Sequence, residues 1–190
     1  GDGITNDNTV TLTGKAAANS TIKVFDGAKQ IGTATADANG AWSFTSAALT
    51  DGNHSLTATA TSGSLTSSAS TALSLVIDTV APVAPTVTMS TSASTLASTK
   101  VAQLTGTAEA NSTVTVFDGT TKIGTVTANS SGAWTFTTAT LATGSHSFTA
   151  KAMDAAGNTG VASAALGVTV SASTPSAPSA PAIVSFSNDS

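Results

Sequence analysis

The sequence predicts an all-β chain of two tandem antiparallel β-sandwich domains arranged end to end. One observation is an internal repeat, since the stretch that starts at Leu12 returns at Leu104 and the two copies stay 92 positions apart. Another is that apolar residues alternate with threonine and serine, which is the period of a half-buried strand. Turn sequences such as Asp26-Gly27 also recur about every 8–12 residues, as they do in β-sandwiches.

The predicted strands can be placed in order along the first copy. Their apolar residues are Val10 and Leu12, Ile22 and Val24, Ile31, Trp42 and Phe44, Leu56 and Ala58, and finally Leu73, Leu75 and Ile77. The second copy repeats them at Leu104, Val114 and Val116, Trp134 and Phe136, Phe148, and then Leu166, Val168 and Val170. Six or seven short strands in each copy, with no helical stripe, indicate a sandwich of immunoglobulin type.

Three segments are predicted. Residues 1–78 form domain 1, which lacks its own first strand, and residues 79–171 form domain 2. The stretch 78–85 between them is a linker that its prolines stiffen and extend. Residues 172–190 are a second linker followed by the first strand of a further repeat, because 181–190 resembles 85–94, the first strand of domain 2.

The tail strand predicts a partner. About ten residues of linker reach at most ~33–36 Å, which is shorter than two stacked domains. We therefore expect 181–190 to pair with domain 1 of another copy of the chain, by strand addition. The other expected partners are neighbouring repeats of the same chain.

Composition excludes several functions. Charged residues make up 8 % of the chain and the net charge is −4, so there is no basic patch for nucleic acid. No apolar run approaches the ~20 residues that would insert into a membrane. Without cysteine, the chain has neither disulfides nor a thiolate metal site.

The residues also argue against an enzyme. The two histidines, His54 and His146, occupy equivalent repeat positions, so we interpret both as structural. With one histidine in each copy and no cysteine, no catalytic triad or histidine metal site can be assembled. Trp42 and Trp134 alternate with phenylalanine and read as core residues, whereas Phe25 and Phe117 beside turns are the better candidates for exposed aromatic side chains.

Carboxylates are the one group with a possible binding role. In immunoglobulin topology the lower end of domain 1 and the upper end of domain 2 both face the linker. The oxygen-bearing residues expected there are Asp2, Asp7, Asp51, Asp78, Glu109, Asp154 and Asn158. Ca²⁺ prefers six to eight oxygen ligands of this kind. We therefore predict one interdomain calcium site, although Asp and Asn are also ordinary turn residues.

The differences between the copies favour a single site. Asp51 aligns with Thr143 and Asp2 with Ser94, so the lower end of domain 2 lacks these acids. At the upper ends, Glu109 aligns with Ala17. Acids therefore concentrate on the two surfaces that face each other across the linker.

Several motifs together resemble one family. They are Gly-Asp-Gly-Ile-Thr-Asn-Asp at 1–7, Ala-Asn-Ser-Thr at 18–21, Gly-Ala-Trp-Ser-Phe at 40–44, Asp-Thr-Val-Ala-Pro at 78–82 and Asp-Ala-Ala-Gly-Asn at 154–158. The chain resembles the bacterial Ig-like tandem repeats of large type I-secreted, RTX-type adhesins and biofilm-associated surface proteins. The resemblance implies an extracellular extender module, often stiffened by Ca²⁺ between neighbouring domains.

We therefore predict a structural stalk module of a large bacterial surface or secreted adhesin, stiffened by interdomain calcium and located outside the cell. The alternative is an accessory carbohydrate- or ligand-binding module of a secreted enzyme. That alternative requires exposed aromatic side chains along a groove.

Overall fold

A computed structural model of the chain describes residues 3–172 and residue 182. The first domain contains the strands β1 (Ile4–Thr5), β2 (Thr11–Lys15), β3 (Thr21–Asp26), β4 (Lys29–Thr35), β5 (Ala41–Thr45), β6 (Gly52–Ser62), β7 (Leu65–Thr66) and β8 (Leu73–Ile77). The second contains β9 (Thr88–Met89), α1 (Ala93–Thr99), β10 (Gln103–Thr107), β11 (Thr113–Asp118), β12 (Thr121–Thr127), β13 (Ala133–Thr137), β14 (Gly144–Met153) and β15 (Leu166–Val170).

The second domain is a two-layer sandwich of antiparallel sheets. One sheet has the strand order β13-β10-β9, and the other has the order β12-β11-β14-β15. Alternate side chains of each strand point between the sheets, as in Val114 and Val116 of β11, which are fully buried. The predicted core residues Leu104, Trp134 and Phe148 belong to the same buried cluster.

The first domain repeats this plan with two differences. Its larger sheet has the order β1-β8-β6-β3-β4, with β7 paired to the end of β6, and β1 runs parallel to β8. Its smaller sheet contains only β2 and β5 in the described part of the chain. The all-β architecture of two tandem immunoglobulin-like domains is confirmed.

Turn chemistry positions the hairpin that each repeat shares. Gly27 adopts φ 56°, a left-handed conformation that glycine accepts without steric cost, and so allows the tight turn between β3 and β4. Gly32 makes room for an aromatic ring, because a Cβ there would lie 2.2 Å from the ring of Phe44. The equivalent Gly124 faces Phe136 at 2.4 Å, so the repeat preserves both the turn and the packing.

The helix α1 departs from the prediction that the chain has no helix. It begins after Ser92, whose carbonyl oxygen accepts the Leu96 N–H at 2.9 Å, and ends where Lys100 turns to φ 56°. Its seven residues give two turns, too few for a repeated apolar stripe in the sequence. Packing stabilises the helix instead, since Leu96 is 3 % exposed and belongs to the core. With seven residues, this helix is also far too short to span a membrane.

Candidate metal site at the domain junction

The linker leaves the first domain through hydrogen bonds at its first two residues. The Asp78 N–H donates to the Thr5 carbonyl oxygen at 3.0 Å, and the Asp78 carboxylate accepts the Val80 N–H at 3.1 Å. The Asp51 carboxylate accepts both the Thr79 N–H and the Thr79 hydroxyl at 2.9 Å. The start of the linker is therefore fixed to the first domain.

On the second domain, the turn 154–158 closes around a buried carboxylate. Asp154 is 8 % exposed. Its Oδ1 accepts the Asn158 N–H at 2.9 Å, its Oδ2 accepts the Asn158 side-chain amide at 2.8 Å, and its own N–H donates to the Asn158 carbonyl oxygen at 3.1 Å. These donors satisfy both carboxylate oxygens of the buried side chain.

Asn158 also joins this turn to the linker. Its Nδ2 donates to the Asp78 carbonyl oxygen at 2.7 Å as well as to Asp154. A side-chain amide carries two N–H donors, so one Asn can make both bonds. We call Asp78, Asp154 and Asn158 the junction latch, because together they connect the end of the first domain to the second.

Close packing accompanies the junction latch. Pro82 and Gly160 are both buried, and a Cβ on Gly160 would lie 2.2 Å from the Pro82 carbonyl oxygen. Real Cβ atoms do not approach backbone oxygen so closely, so only glycine fits there. A Cβ on Gly157 would lie 3.7 Å from the Asn6 amide nitrogen, which brings the turn 154–158 against the first domain.

The other predicted ligands take separate positions. Asp7 accepts the Thr9 N–H at 2.9 Å and the Thr9 hydroxyl at 2.8 Å, and these bonds, the backbone one foremost, lower the pKa of Asp7. Glu109 is exposed, and its carbonyl oxygen accepts the Ser112 hydroxyl as Ala17 does for Ser20, so this turn makes no use of the Glu109 carboxylate. Asp2 lies outside the described residues.

The fit to Ca²⁺ is limited by how these oxygens are already used. Within 3–172, no three or more acidic or histidine side chains are grouped as metal ligands. Both carboxylate oxygens of Asp154 and of Asp51 already accept hydrogen bonds from protein donors. A cation at the latch would have to displace the Asn158 amide from Asp154, because Ca²⁺ and an N–H donor compete for the same oxygen. Interdomain calcium stays a prediction.

Sequence reasoning missed a repeated ion pair. His54 Nδ1 lies 2.6 Å from Asp26 Oδ2, and His146 Nδ1 lies 2.5 Å from Asp118 Oδ2. The other ring nitrogen of each histidine meets a carbonyl oxygen, that of Thr50 at 2.8 Å in the first domain. The sequence does contain a sign of this pair, because the aspartate and the histidine are equally far apart in both copies. Asp26 was interpreted only as a turn residue, so the pairing was not predicted.

Two acceptors around each ring favour the doubly protonated histidine. The Thr50 carbonyl oxygen and then the Asp26 carboxylate raise the pKa of His54, and the Ala142 carbonyl oxygen and then Asp118 raise the pKa of His146. Burial acts to raise the pKa of Asp26, but hydrogen bonds from His54 and the Ser55 N–H outweigh it and lower that pKa.

The aromatic side chains offer no exposed platform in the described domains. Trp134 is 3 % exposed, and Trp42, Phe25 and Phe117 are half-buried. Trp42 nevertheless borders an open groove beside β2. The Trp134 ring N–H is buried and has no hydrogen-bond partner among the described residues, so this side chain contributes to the core through apolar packing alone.

The chain is similar to several solved structures, and the first of those described below supports the fold. Fibronectin(III)-like modules of CbhA from Clostridium thermocellum are 14 % identical with a TM-score of 0.51, over 89 % of this chain and 88 % of that one. A BSP domain of a biofilm-associated protein is 23 % identical with a TM-score of 0.36, over 92 % of this chain but only 29 % of that one. A two-domain fibronectin type III segment of chicken tenascin is 13 % identical with a TM-score of 0.34, over 86 % of this chain and 94 % of that one.

Comparison with protein families identifies the repeat. No curated protein matches the chain. One family, described as bacterial Ig-like domain, matches residues 1–79 and again residues 85–171, which is nearly the whole of both described domains. The chain therefore belongs to the bacterial Ig-like domain family and consists of two consecutive members of it.

Proposed function

We propose that this chain is a non-catalytic spacer, a stalk segment of a large bacterial surface or secreted adhesin that holds consecutive domains at a set angle. The observation that carries the proposal is the junction latch, in which the Asn158 amide connects the Asp78 carbonyl oxygen to the buried Asp154 carboxylate. A spacer transmits position only if its joints resist bending, and this contact supplies such resistance at the joint between the two domains.

The arrangement of titratable groups supports a non-catalytic role. A general base needs a ring nitrogen free to take a proton from substrate. Both nitrogens of His54 and of His146 face protein acceptors at 2.5–2.9 Å, so in this structure neither ring offers one. The remaining described acids lie in turns or at the junction rather than around a common cavity.

Calcium would add to this stiffness rather than create it. Asp51 accepts the Thr79 N–H at the start of the linker, and the backbone N–H groups of Asp78 and Asp7 both donate to Thr5, so these acids lie near the junction end of the first domain. The predicted ligand Asp2 precedes them in the sequence. If Ca²⁺ binds there, the like charges it neutralises would otherwise repel one another. A surface or secreted location is proposed because the motifs of this chain resemble the extender modules of adhesins. Membership of the bacterial Ig-like domain family is consistent with that location.

Small-angle X-ray scattering of the chain tests the spacer role. The expected longest dimension is close to twice that of one immunoglobulin-like domain, and it should not change between dilute and concentrated salt. An Asn158→Ala variant should give a broader range of shapes, whereas Asn53→Ala, on an exposed residue of β6, should scatter like the parent chain. A compact parent chain with its domains folded side by side would contradict the proposal.

The alternative, a carbohydrate- or ligand-binding module, is favoured by one feature only. The groove beside β2 has a half-buried tryptophan, Trp42, in its wall. Sugar platforms need an aromatic face open to solvent, and this ring is partly covered. Binding of soluble oligosaccharides that changes Trp42 fluorescence would favour the alternative over the spacer.

A further inference from the structure

One carboxylate anchors the start of the linker to the turn that precedes β6. Asp51 Oδ1 accepts both the Thr79 N–H and the Thr79 hydroxyl at 2.9 Å, and the hydroxyl lies 3.1 Å from Oδ2. Both residues are exposed, so water competes for these bonds. The strength of the anchor therefore depends on how well the Asp51 carboxylate is held in place.

A histidine fixes the residue before Asp51. His54 lies on β6 and is 9 % exposed, and its Nε2 lies 2.8 Å from the Thr50 carbonyl oxygen. On the other side of Asp51 is Gly52, the first residue of β6, with φ 128°. Glycine adopts this backbone conformation without strain and restrains its neighbour little. The contact with the His54 ring is therefore what holds this turn in position.

The two contacts of the His54 ring require a proton on each nitrogen. Its partners are the Asp26 carboxylate and the Thr50 carbonyl oxygen, which can only accept, and a neutral imidazole has one N–H. A carboxylate is the stronger acceptor, so the neutral ring keeps its proton on Nδ1. Nε2 then directs a lone pair at the Thr50 carbonyl oxygen, and two acceptors repel each other. Loss of a proton from His54 therefore displaces Thr50.

Few charged groups surround this ring. On β3, the Asp26 carboxylate raises the pKa of His54, second in effect to the Thr50 carbonyl oxygen, while burial lowers it. Lys29 on β4 acts through its charge on Asp26. The strand β8, which pairs with β6, and β1 beyond it contain no ionisable residue, and the turn itself contributes Asp51. Because the pKa of Asp26 is lowered, this carboxylate stays ionised while His54 titrates.

The second domain has the same ring contacts without the anchor. His146 Nε2 lies 2.9 Å from the Ala142 carbonyl oxygen, but the next residue is Thr143, which has no carboxylate. The chain that follows this domain, with the predicted tail strand 181–190, lies outside the described residues apart from residue 182. The repeat thus preserves the histidine contact, and only in the first domain is it next to a linker anchor in the described structure.

We propose that His54 is a pH-dependent positioning residue for the joint between the two domains. With both ring nitrogens protonated, it holds Thr50 and keeps Asp51 within reach of Thr79. After loss of one proton the turn moves and releases the start of the linker. The inference rests on the proposed spacer function and names a regulation of it, because the joint becomes looser in alkaline solution. The Asn158 contact of the junction latch does not involve His54 and keeps the domains connected.

A spin label on the linker tests this dependence. Because the chain has no cysteine, a nitroxide at Val80→Cys, a position that is 66 % exposed, reports the mobility of the residue after Thr79. Between pH 5.5 and pH 9 the mobile fraction of the spectrum should rise about fivefold, the population change expected from losing one hydrogen bond. The midpoint should lie above pH 6.5, because the Thr50 carbonyl oxygen and then Asp26 raise the pKa of His54.

Matched histidine variants identify the group that titrates. His54→Gln should abolish the pH dependence of the label, whereas His146→Gln removes the equivalent pair from the second domain and should leave it unchanged. Asp51→Ala removes the anchor and should give a mobile label at every pH. A label in the parent chain whose mobility is constant from pH 5.5 to pH 9 overturns the proposal. So does a label that titrates equally in the parent chain and in His54→Gln.

Small-angle X-ray scattering at the same two pH values separates this proposal from the spacer role. The parent chain should be extended with a narrow range of shapes at pH 5.5 and should show a broader range at pH 9. An extended chain at pH 5.5 whose linker label does not titrate overturns the pH dependence and leaves the spacer role in place. Domains folded side by side at pH 5.5 contradict the spacer role itself.

Discussion

At the scale of single residues, the His–Asp pairs show how a repeat can preserve an interaction that is neither core nor catalytic. Asp26 is the last residue of β3 and His54 lies on the neighbouring strand β6, so the pair connects the turn after β3 to β6. The Asp26 carboxylate also accepts the Ser55 N–H at 3.1 Å. Asp118 and His146 repeat the arrangement, and each pair is partly shielded from water.

These pairs predict how stability depends on pH. The pKa of His54 is raised above 6.5, so its contribution is complete below pH 6.5 and is lost as the pH rises through the folded pKa. The pKa of Asp26 is lowered below 3.8, so its contribution is complete above pH 3.8 and is lost as the pH falls. The pair stabilises most between these limits.

Urea unfolding at pH 5 and pH 8.5 checks this dependence. The parent chain should lose about 1 kcal/mol per pair on going to pH 8.5, the size expected of a half-shielded charge-assisted bond. The double variant His54→Gln with His146→Gln should be less stable at pH 5 and should lose less with rising pH. Equal losses in both chains would show that other groups cause the pH dependence.

Gly160 gives a second residue-scale prediction, at the junction. Gly160→Ala places a methyl group against the Pro82 carbonyl oxygen, so the linker must move, and we expect a loss of about 1–3 kcal/mol in the free energy of unfolding. Gly167→Ala on β15 is the matched control, because a Cβ there meets nothing within 4 Å. The melting temperatures of the two variants are compared by thermal unfolding. Equal melting temperatures would mean that the close approach of Gly160 to Pro82 is not required for stability.

At the scale of elements, equivalent segments of the two repeats fold differently. Ile4 of β1 and Leu96 of α1 occupy matching positions, yet one pairs as a strand with β8 and the other lies in a helix. Ile4 is 37 % exposed and Leu96 is 3 % exposed. The same position therefore contributes differently to the two cores.

Alanine substitutions at this position should lower the free energy of unfolding by different amounts in the two domains. Leu96→Ala removes a buried side chain and should cost about 2–4 kcal/mol, whereas Ile4→Ala removes a partly exposed one and should cost less than half as much. Differential scanning calorimetry measures both. Similar losses would indicate that α1 does not hold Leu96 in the core.

The elements that sequence reasoning predicted are those set by local pattern. Alternation placed the strands around Val24, Trp134 and Val168, and the Asp–Gly dipeptides placed the turns, since both signals lie within a few residues. The helix α1 and the His–Asp pairs depend on contacts between distant segments. At the junction the sequence identified Asp78, Asp154 and Asn158 but expected them to act as metal ligands, because it could not show that an amide hydrogen bonds to both partners.

At the scale of the whole molecule, calcium dependence tests whether the junction also binds a cation. Extracellular calcium modules bind at about 10⁻⁴–10⁻³ M, so calcium at ~10–100 times that constant should add roughly 1.4–2.7 kcal/mol. We expect melting in millimolar calcium to be several degrees above melting in EDTA. Asp78→Ala should abolish the shift while keeping the backbone carbonyl oxygen that accepts the Asn158 amide. Equal melts with and without calcium would mean that these acids act only in turns.

Protein contacts at the junction latch should fix the angle between the two domains without a bound cation. Because the chain has no cysteine, spin labels can be placed at Thr33→Cys and Thr125→Cys, exposed positions on the equivalent strands β4 and β12. Pulsed electron paramagnetic resonance in EDTA should give one narrow distance distribution, which Asn158→Ala broadens and Asn53→Ala leaves unchanged. A distribution in the labelled parent that is already as broad as that of Asn158→Ala would contradict the claim.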